Sequence, residues 1–245
     1  GLVGSEMCIR DSYNTWFIHS STDMKKYKKE FAEFLIDERA LQFGRFELKS
    51  GRISPYFFNT SAFNSGNTVE KLGYFYAEAI LRHLPQCTSV FGPAYKGIPL
   101  CLSSAIALTH LSKKDIGYFF DRKEKKAHGD QGLLVGKIPL ETEVIALVDD
   151  VITDGQTKIE AIENLKNWFG LRVSAVFVAF DRLEKNDEGI QASQAFSEKI
   201  GIPVHAIITI YDVLSLLKEE RFKETYQVPE SSVEEIESYL KIYIN

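Results

Sequence analysis

The sequence predicts an α/β fold, with a mostly parallel sheet flanked by helices and a small N-terminal subdomain. Short apolar runs rich in β-branched and aromatic residues are typical of buried strands. They end near Phe91, Phe120, Val148, Phe180 and Ile210. Stretches of helical spacing alternate with them, near residues 97–111, 155–169, 190–200 and 211–220. Such alternation indicates a parallel sheet that is covered on both faces and binds ligands at the carboxyl ends of its strands.

The composition is that of a globular protein that works in water. Of the 245 residues, 44% are apolar and 26% are charged, and the mean hydropathy is −0.14. No segment approaches the roughly 18 uninterrupted apolar residues of a membrane span. The net charge of −5 argues against a general nucleic-acid or membrane-surface binder but allows a local basic pocket for an anion. Because the 3 cysteines lack metal-like spacing, neither a disulfide framework nor a zinc site is supported, and a cytoplasmic location fits best.

Residues 1–23 are expected to be a non-native leader, and residues 24–245 a single domain that includes the N-terminal subdomain. The opening GLVGSEMCIRDS resembles translated sequencing-library adapter and has neither a signal nor a transit pattern. From Met24 to about Phe43, apolar residues at helical spacing predict an amphipathic helix. These residues are Tyr27, Phe31, Phe34, Leu35 and Leu41.

Three further elements are predicted outside the alternating region. Residues 43–60, FGRFELKSGRISPYFFNT, read as a small antiparallel element around a Ser-Gly turn. Thr68 is expected to cap a helix that runs to about Leu84. A last helix is expected at about 233–242, with Ser232 and Glu235 in capping-box spacing.

The stretch VIALVDDVITDGQT, residues 144–157, points most directly to chemistry. Its apolar run suits a buried strand, and Asp149 and Asp150 stand where that strand would leave the sheet. Residues 153–157 follow, at a strand-to-helix junction where backbone N–H groups can hold a phosphate. Carboxylates suit sugar hydroxyls or a magnesium-bound ligand, so the segment fits a ribose phosphate. The alternative is an acidic strand end followed by an ordinary helix cap; neither GxxxxGK[ST] nor a GxGxxG after a strand occurs.

This stretch resembles the phosphoribosyl diphosphate (PRPP) binding motif of type I phosphoribosyltransferases, in which two acids precede Thr-x-Gly-x-Thr. The resemblance implies PRPP contacts along the whole segment. The residues concerned are Asp149, Asp150, Val151, Ile152, Thr153, Asp154, Gly155, Gln156 and Thr157. Similar bacterial enzymes usually have small residues after Thr153, so Asp154 and Gln156 depart from the pattern. An added carboxylate beside a phosphate loop weakens anion binding unless it points away.

Two stretches are similar to the base-binding parts of orotate phosphoribosyltransferases. FELKSGRISPYFFNT, residues 46–60, implies that Lys49 reaches both ligands and that Phe57 and Phe58 meet the orotate ring. AFDRLE, residues 179–184, implies that Arg182 pairs with the orotate carboxylate, and Thr153 is also expected to contact orotate. A flat base that carries a carboxylate needs a cation and an aromatic-walled slot.

Each of these base-binding residues also has a structural alternative. Phe57 and Phe58 can be ordinary core aromatics. Arg182 can form a strand-end salt bridge with Asp181 or Glu184.

Two other stretches suit a diphosphate. FGPAYKGIPL, residues 91–100, forms a rigid turn after a strand, and the resemblance places Tyr95 and Lys96 at the ligand. DRKEKKAHGDQG, residues 121–132, is rich in cations within an acidic protein, as a diphosphate leaving group requires. It resembles the mobile catalytic loop of the same family. That resemblance implies catalytic and PRPP-binding roles for Arg122, Lys123, Lys126 and His128.

The expected activity follows from these resemblances together. It is the transfer of ribose 5-phosphate from PRPP to orotate, with Mg²⁺ carried by PRPP near Asp149 and Asp150. The family also implies a homodimer in which the 122–132 loop reaches the neighbouring active site. Three alternatives stay open: a purine-type phosphoribosyltransferase, a PRPP-sensing regulator, and a two-domain protein that also decarboxylates the product. The first has no use for Arg182, the second calls for a nucleic-acid-binding face, and the third calls for a second domain.

Overall fold

A computed structural model describes residues 21–48, 51–123, 132–152, 155–186, 188–229 and 231–244. The strands are β1 Leu41–Glu47, β2 Ile53–Phe58, β3 Ser89–Phe91, β4 Gly117–Asp121, β5 Leu134–Gly136, β6 Ile145–Val151, β7 Val173–Asp181 and β8 Val204–Thr209. The helices are α1 Ser21–Asp37, α2 Gly66–His83, α3 Gly97–Ser112, α4 Gln156–Phe169, α5 Ala192–Ile200, α6 Ile210–Leu217, α7 Glu220–Tyr226 and α8 Ser231–Tyr243. A 3₁₀ turn at Thr60–Ala62 follows β2.

The main sheet has six strands in the order β5-β4-β3-β6-β7-β8. All neighbouring pairs are parallel except β4 and β5, which confirms the predicted mostly parallel sheet. The connection from β3 leads to β4 on one side, whereas β6 lies on the other. The strand order therefore reverses between β3 and β6, and the carboxyl ends of these two strands border the crevice where such sheets bind ligands.

The two faces of the sheet belong to separate hydrophobic cores. On β6, Ala146 and Val148 face the core formed with α1, α2, α3, α6 and α8, whereas Ile145 and Leu147 face the core formed with α4 and α5. This alternation follows from the two-residue period of a strand. Helices therefore cover both faces, as predicted, and consecutive residues of β6 point to opposite sides of the sheet.

The N-terminal hairpin packs onto the main sheet and the last helix. Strands β1 and β2 are antiparallel, with Leu41 opposite Phe58, which confirms the predicted antiparallel element. The buried Tyr56 ring makes edge contacts with Phe180 of β7 and Tyr239 of α8. These contacts fix the hairpin beside the carboxyl end of β7.

Two predicted boundaries near the N-terminus are wrong. Helix α1 ends at Asp37 rather than near Phe43, because Arg39 takes a left-handed φ of 56° and Leu41 enters the hairpin. Thr68 does not cap α2. Ser65 is the N-cap, and Thr68 is the third helical residue of its capping box.

The C-terminal region also departs from prediction in its details. Helix α8 begins at Ser231 rather than near Val233, so Ser232 lies inside the helix and not at its N-cap. The short helix α7 was not predicted, and neither was the three-residue strand β5 in the middle of the chain. Among the residues that the structure describes, no helix is long and apolar enough to cross a membrane.

Candidate active site

The loop after β3 meets the end of β6 because two glycines let the chain turn sharply. A Cβ on Gly92 would lie 2.1 Å from the carbonyl oxygen of Gly97, so only glycine allows α3 to start against the strand end. The Ala94 N–H donates a 2.6 Å hydrogen bond to Asp121 Oδ1 at the end of β4. The loop therefore brings Lys96 to Asp150 at the end of β6, while the predicted contacts of Tyr95 and Lys96 with a ligand stay a prediction.

Asp150 faces this loop. Its Oδ2 accepts hydrogen bonds from Lys96 Nζ at 2.8 Å and from Thr60 Oγ1 at 3.1 Å, while Oδ1 accepts one from the Val151 N–H. Burial opposes ionisation, but the hydrogen bond and charge of Lys96 lower the pKa of Asp150. The Lys96 side chain is 66% exposed, so this counter-ion can leave without unfolding the site.

Asp149 faces the other side of the sheet and has a different counter-ion. Its Oδ2 lies 2.7 Å from Lys158 Nζ, and its Oδ1 accepts the Asp150 N–H at 2.8 Å. The Lys158 side chain is only 11% exposed. Burial raises the pKa of Asp149, with Lys158 acting against this and the charge of Asp150 adding to it. The paired acids of the sequence thus have separate environments.

Lys158 was not predicted as a site residue, although the sequence contains a signal for it. It is the third residue of α4, where a cation opposes the helix dipole. A lysine in the first turn after an acid pair therefore calls for an anionic partner. Thr60 and Asp121 were also missed, since their partners lie 90 and 27 residues away along the chain.

Gly155 shapes the start of α4. Its φ is 70°, and a Cβ there would lie 2.3 Å from the Phe196 ring. As the N-cap it has no side chain with which to cap the helix, so the first backbone N–H groups of α4 receive no cap from this residue, and such N–H groups can bind an anion. Gln156 and Thr157 are exposed beside it, whereas Val151 and Ile152 belong to the strand end and its buried continuation.

The described part of the basic segment lies next to the loop after β3. Lys123 Nζ is 5.6 Å from the centre of the Tyr95 ring, a cation–π distance. The Arg122 N–H donates to the Leu133 carbonyl, and its Nη1 atom is buried without a hydrogen-bond partner within the described residues. Other predicted site residues lie outside the described residues. They are Lys49, Lys126, His128, Thr153 and Asp154.

Arg182 is held in a cluster at the end of β7. It pairs with Glu184 at 2.6 Å, and its guanidinium also donates to Ser54 Oγ and the Tyr239 hydroxyl. Its guanidinium carbon lies 4.3 Å from the centre of the Tyr56 ring. This is the salt-bridge alternative with Glu184, so the contact with an orotate carboxylate stays a prediction.

The aromatic pair of β2 lies at the edge of the same region. Phe57 stacks on Phe46, with ring centres 5.4 Å apart, and Phe58 stacks on Phe180 at 5.1 Å. Both residues are half-buried. They therefore pack against neighbours and still border open space, which suits both interpretations of this pair.

A small cavity is lined by Thr60 and Lys96, the two side chains that donate to Asp150. Its volume is about 200 Å³, and Thr60, Lys96, Pro99 and Leu100 contribute to its lining. A larger cavity of about 590 Å³ lies between α1, α2 and α7, away from Asp149 and Asp150. Of these two cavities among the described residues, the smaller one shares residues with the crevice.

No family model matches the chain. It is 46% identical over 197 residues to the orotate phosphoribosyltransferase of Yersinia enterocolitica, which covers 80% of this chain and 91% of that protein. It is 42% identical over 222 residues to the enzyme of the same name from Colwellia psychrerythraea, covering 91% and 99%. The crystal structure of the Francisella tularensis orotate phosphoribosyltransferase matches with a TM-score of 0.76 and 33% identity, covering 88% of this chain and 100% of that one.

These three relatives cover between 80% and 91% of this chain, at 33–46% identity. The chain belongs to the orotate phosphoribosyltransferase family.

Proposed function

We propose that the protein is a pentosyltransferase of pyrimidine (UMP) biosynthesis that transfers ribose 5-phosphate from PRPP to orotate. The products are orotidine 5′-monophosphate and diphosphate. Family membership supports this activity. The observation that carries it is the ion pair between Asp150 and Lys96 at the point where the strand order reverses. There, a carboxylate that can bind the ribose hydroxyls lies next to a cation that can bind the diphosphate.

The acid pair and the start of α4 bind the ribose phosphate of PRPP. Carboxylate oxygens of Asp149 and Asp150 accept hydrogen bonds from the ribose hydroxyls. The 5′-phosphate lies at residues 153–157, where backbone N–H groups and the helix dipole favour an anion. The open start of α4 at Gly155 supports this placement, and Gln156 and Thr157 border it.

The basic residues stabilise the departing diphosphate. As the bond from the anomeric carbon to diphosphate lengthens, the ribose becomes cation-like and negative charge grows on the leaving group. Lys96, Arg122 and Lys123, with Lys126 and His128, supply the opposing charge. Lys96 moves from Asp150 to the diphosphate, because its exposed side chain loses little when it exchanges one anion for another. No protein nucleophile is needed.

The residues at the crevice fit Mg²⁺ that enters with PRPP. Magnesium favours carboxylate and phosphate oxygens and keeps several waters. No group of three or more metal-binding side chains occurs in the described ranges. Bound Mg²⁺ neutralises diphosphate charge.

Orotate binds between the hairpin and the end of β7. Lys49, Thr153 and the backbone at Phe57 and Phe58 surround the ring, and Arg182 pairs with its carboxylate. In this proposal the orotate carboxylate binds the guanidinium beside Glu184, because the fork of an arginine can hold two anions at once. Binding of the second substrate thus adjusts an existing ion pair.

The working unit is a homodimer in the cytoplasm, made of one domain, residues 24–245. Ile106 of α3 is 59% exposed and Tyr118 of β4 is 39% exposed, and apolar surface of this kind suits a subunit interface. The 122–132 loop of each subunit completes the neighbouring site.

Mixing inactive Lys126→Ala and Asp149→Asn subunits tests the shared site. About a quarter of normal activity should return, because half of the dimers are hybrids and each hybrid has one intact site out of two. No recovery after subunit exchange contradicts the shared site.

Base specificity tests the proposed function. Protein, Mg²⁺ and PRPP are mixed with orotate, uracil, adenine or hypoxanthine, and diphosphate release is followed. Of the four bases, only orotate should cause release of diphosphate. A response to adenine or hypoxanthine instead, or none to orotate, contradicts the proposal.

A further inference from the structure

The two acids at the end of β6 pair with lysines that differ in how exposed they are. Lys96 reaches Asp150 from an exposed loop, whereas Lys158 reaches Asp149 from the first turn of α4 and is almost fully buried. Because β6 alternates, each acid meets its own lysine on its own face of the sheet. One counter-ion can be exchanged, and the other is built into the fold.

We infer that Lys158 is a positioning residue that keeps Asp149 ionised and aimed for the ribose of PRPP throughout the reaction. The inference rests on the proposed function for its ligand. Lys158 does not contact the substrate; it acts through the carboxylate that it holds at 2.7 Å.

The surroundings of Asp149 explain why a fixed cation is required there. The residue is 9% exposed, and the neighbouring charge is that of Asp150, which repels a second anion. From α2, the Tyr76 hydroxyl donates to the Asp149 carbonyl and offers nothing to its carboxylate. Without Lys158, a buried carboxyl beside another carboxylate takes up a proton instead of staying charged. A protonated Asp149 loses an acceptor for a ribose hydroxyl.

The inference predicts opposite pH trends for binding and for stability in Lys158→Met, which keeps the apolar stem and removes the charge. Protonation of Asp149 should weaken PRPP binding, so the ratio of variant to wild-type Kd rises by about tenfold for each pH unit below the new pKa of Asp149. Titration calorimetry with PRPP and Mg²⁺ from pH 8.5 to 6 measures this ratio. Using the ratio cancels the protonation of PRPP itself.

Thermal unfolding supplies a measurement that needs no ligand. The pKa of Asp149 in the folded variant is raised above its unfolded value, so the stabilisation is present at low pH and is lost as pH rises through the folded pKa. Relative to wild type, Lys158→Met should therefore unfold several degrees lower at pH 8 and closer to wild type at pH 5. If Lys158 were purely structural, Lys158→Met would lower the unfolding temperature and the PRPP affinity together at every pH.

Three further variants complete the test. Lys166→Met, an exposed position on the same helix, should leave both quantities unchanged. Lys158→Arg, which keeps the positive charge, should retain most of the wild-type affinity for PRPP. In an Asp149→Asn background, which removes the buried charge and protects folding, Lys158→Met should change neither PRPP affinity nor its pH dependence.

Two results would overturn the inference. One is a Lys158→Met protein that matches wild type in the pH dependence of both Kd and unfolding. The other is a further loss of PRPP affinity in the Asp149→Asn background, because Lys158 would then contact the ligand itself. If wild type does not bind PRPP, the proposed function fails, while the unfolding measurement still decides whether Lys158 controls the charge of Asp149.

Discussion

At the scale of single residues, the site is defined by which partner each polar group meets. The sequence predicted Asp149 and Asp150 as a pair, because two carboxylates after a buried run must lie at a strand end. It could not predict that Lys96 and Lys158 divide them. Which lysine each acid meets depends on the face of the sheet to which the acid points and on the helix that covers that face. Both are set by the tertiary structure and cannot be deduced from the local sequence.

Gly155 gives a residue-scale prediction. Gly155→Ala places an L-residue at a φ of 70° and drives its Cβ into the Phe196 ring. We expect a loss of about 2–4 kcal/mol in the free energy of unfolding, from left-handed strain and from overpacking together, and weaker PRPP binding because the helix start shifts. Chemical denaturation and calorimetry measure the two effects.

The control is Gly201→Ala, which has a φ of 67° but open space around the added Cβ. It should lose only about 1 kcal/mol. Adding Phe196→Leu to Gly155→Ala should recover part of the difference. Equal losses in the two single variants would show that the close approach to Phe196 does not constrain this loop.

At the scale of elements, the order of strands and helices was predictable, and the exceptions have physical causes. Strands with long apolar runs, such as β6 and β7, carry their own signal. Leu41 fits a helical pattern, yet pairing with Phe58 draws it into β1. Strand β5 has three residues, too few to show a period, and is formed by pairing with β4.

Arg182 links three of these elements and gives the second prediction. It joins β7 to Ser54 of β2 and Tyr239 of α8. Arg182→Ala leaves the partly buried Glu184 carboxylate with the Tyr239 hydroxyl at 2.6 Å and the longer Arg52 ion pair at 3.5 Å. The free energy of unfolding should fall by about 3 kcal/mol. At a temperature where the variant is folded, the KM for orotate should rise much more than the KM for PRPP.

Arg172→Ala, at an exposed position just before β7, should change neither quantity. If Arg182→Ala is as stable as wild type, the cluster does not hold the hairpin to the sheet. If it is destabilised but keeps a normal KM for orotate, the arginine is structural and the proposed carboxylate contact is wrong.

At the scale of the whole molecule, stability should depend on pH through a pair of stacked histidines. His83 at the end of α2 and His205 on β8 have ring centres 4.1 Å apart, and Phe177 lies against His205. Burial, together with the charge of His83, lowers the pKa of His205 from 6.5 to about 4. Burial, with Arg82 and Lys28, also lowers the pKa of His83.

The sign of the effect follows from these lowered pKa values. Above pH 6.5 the two histidines are neutral in both the folded and the unfolded protein. As the pH falls towards 4, these histidines bind protons in the unfolded chain but not in the folded protein, so the free energy of unfolding decreases. We expect His205→Phe to recover roughly 1–2 kcal/mol of the loss between pH 6.5 and 4.5, less than a fully buried ring would give because solvent screens it. Denaturation at a series of pH values measures this.

His110→Gln, on the exposed face of α3, serves as the control and should follow wild type. An unchanged pH dependence in His205→Phe would mean that the histidine pair does not limit acid stability.

The central claim concerns the whole crevice: PRPP lies where β3 and β6 end, between the two acids and the start of α4. Crystals soaked with PRPP and Mg²⁺ test it most directly. The predicted density places ribose hydroxyls beside Asp149 and Asp150, with the 5′-phosphate at Gly155 and Lys96 turned from Asp150 to the diphosphate. Ordered PRPP elsewhere on the molecule, with this crevice empty, would contradict the claim.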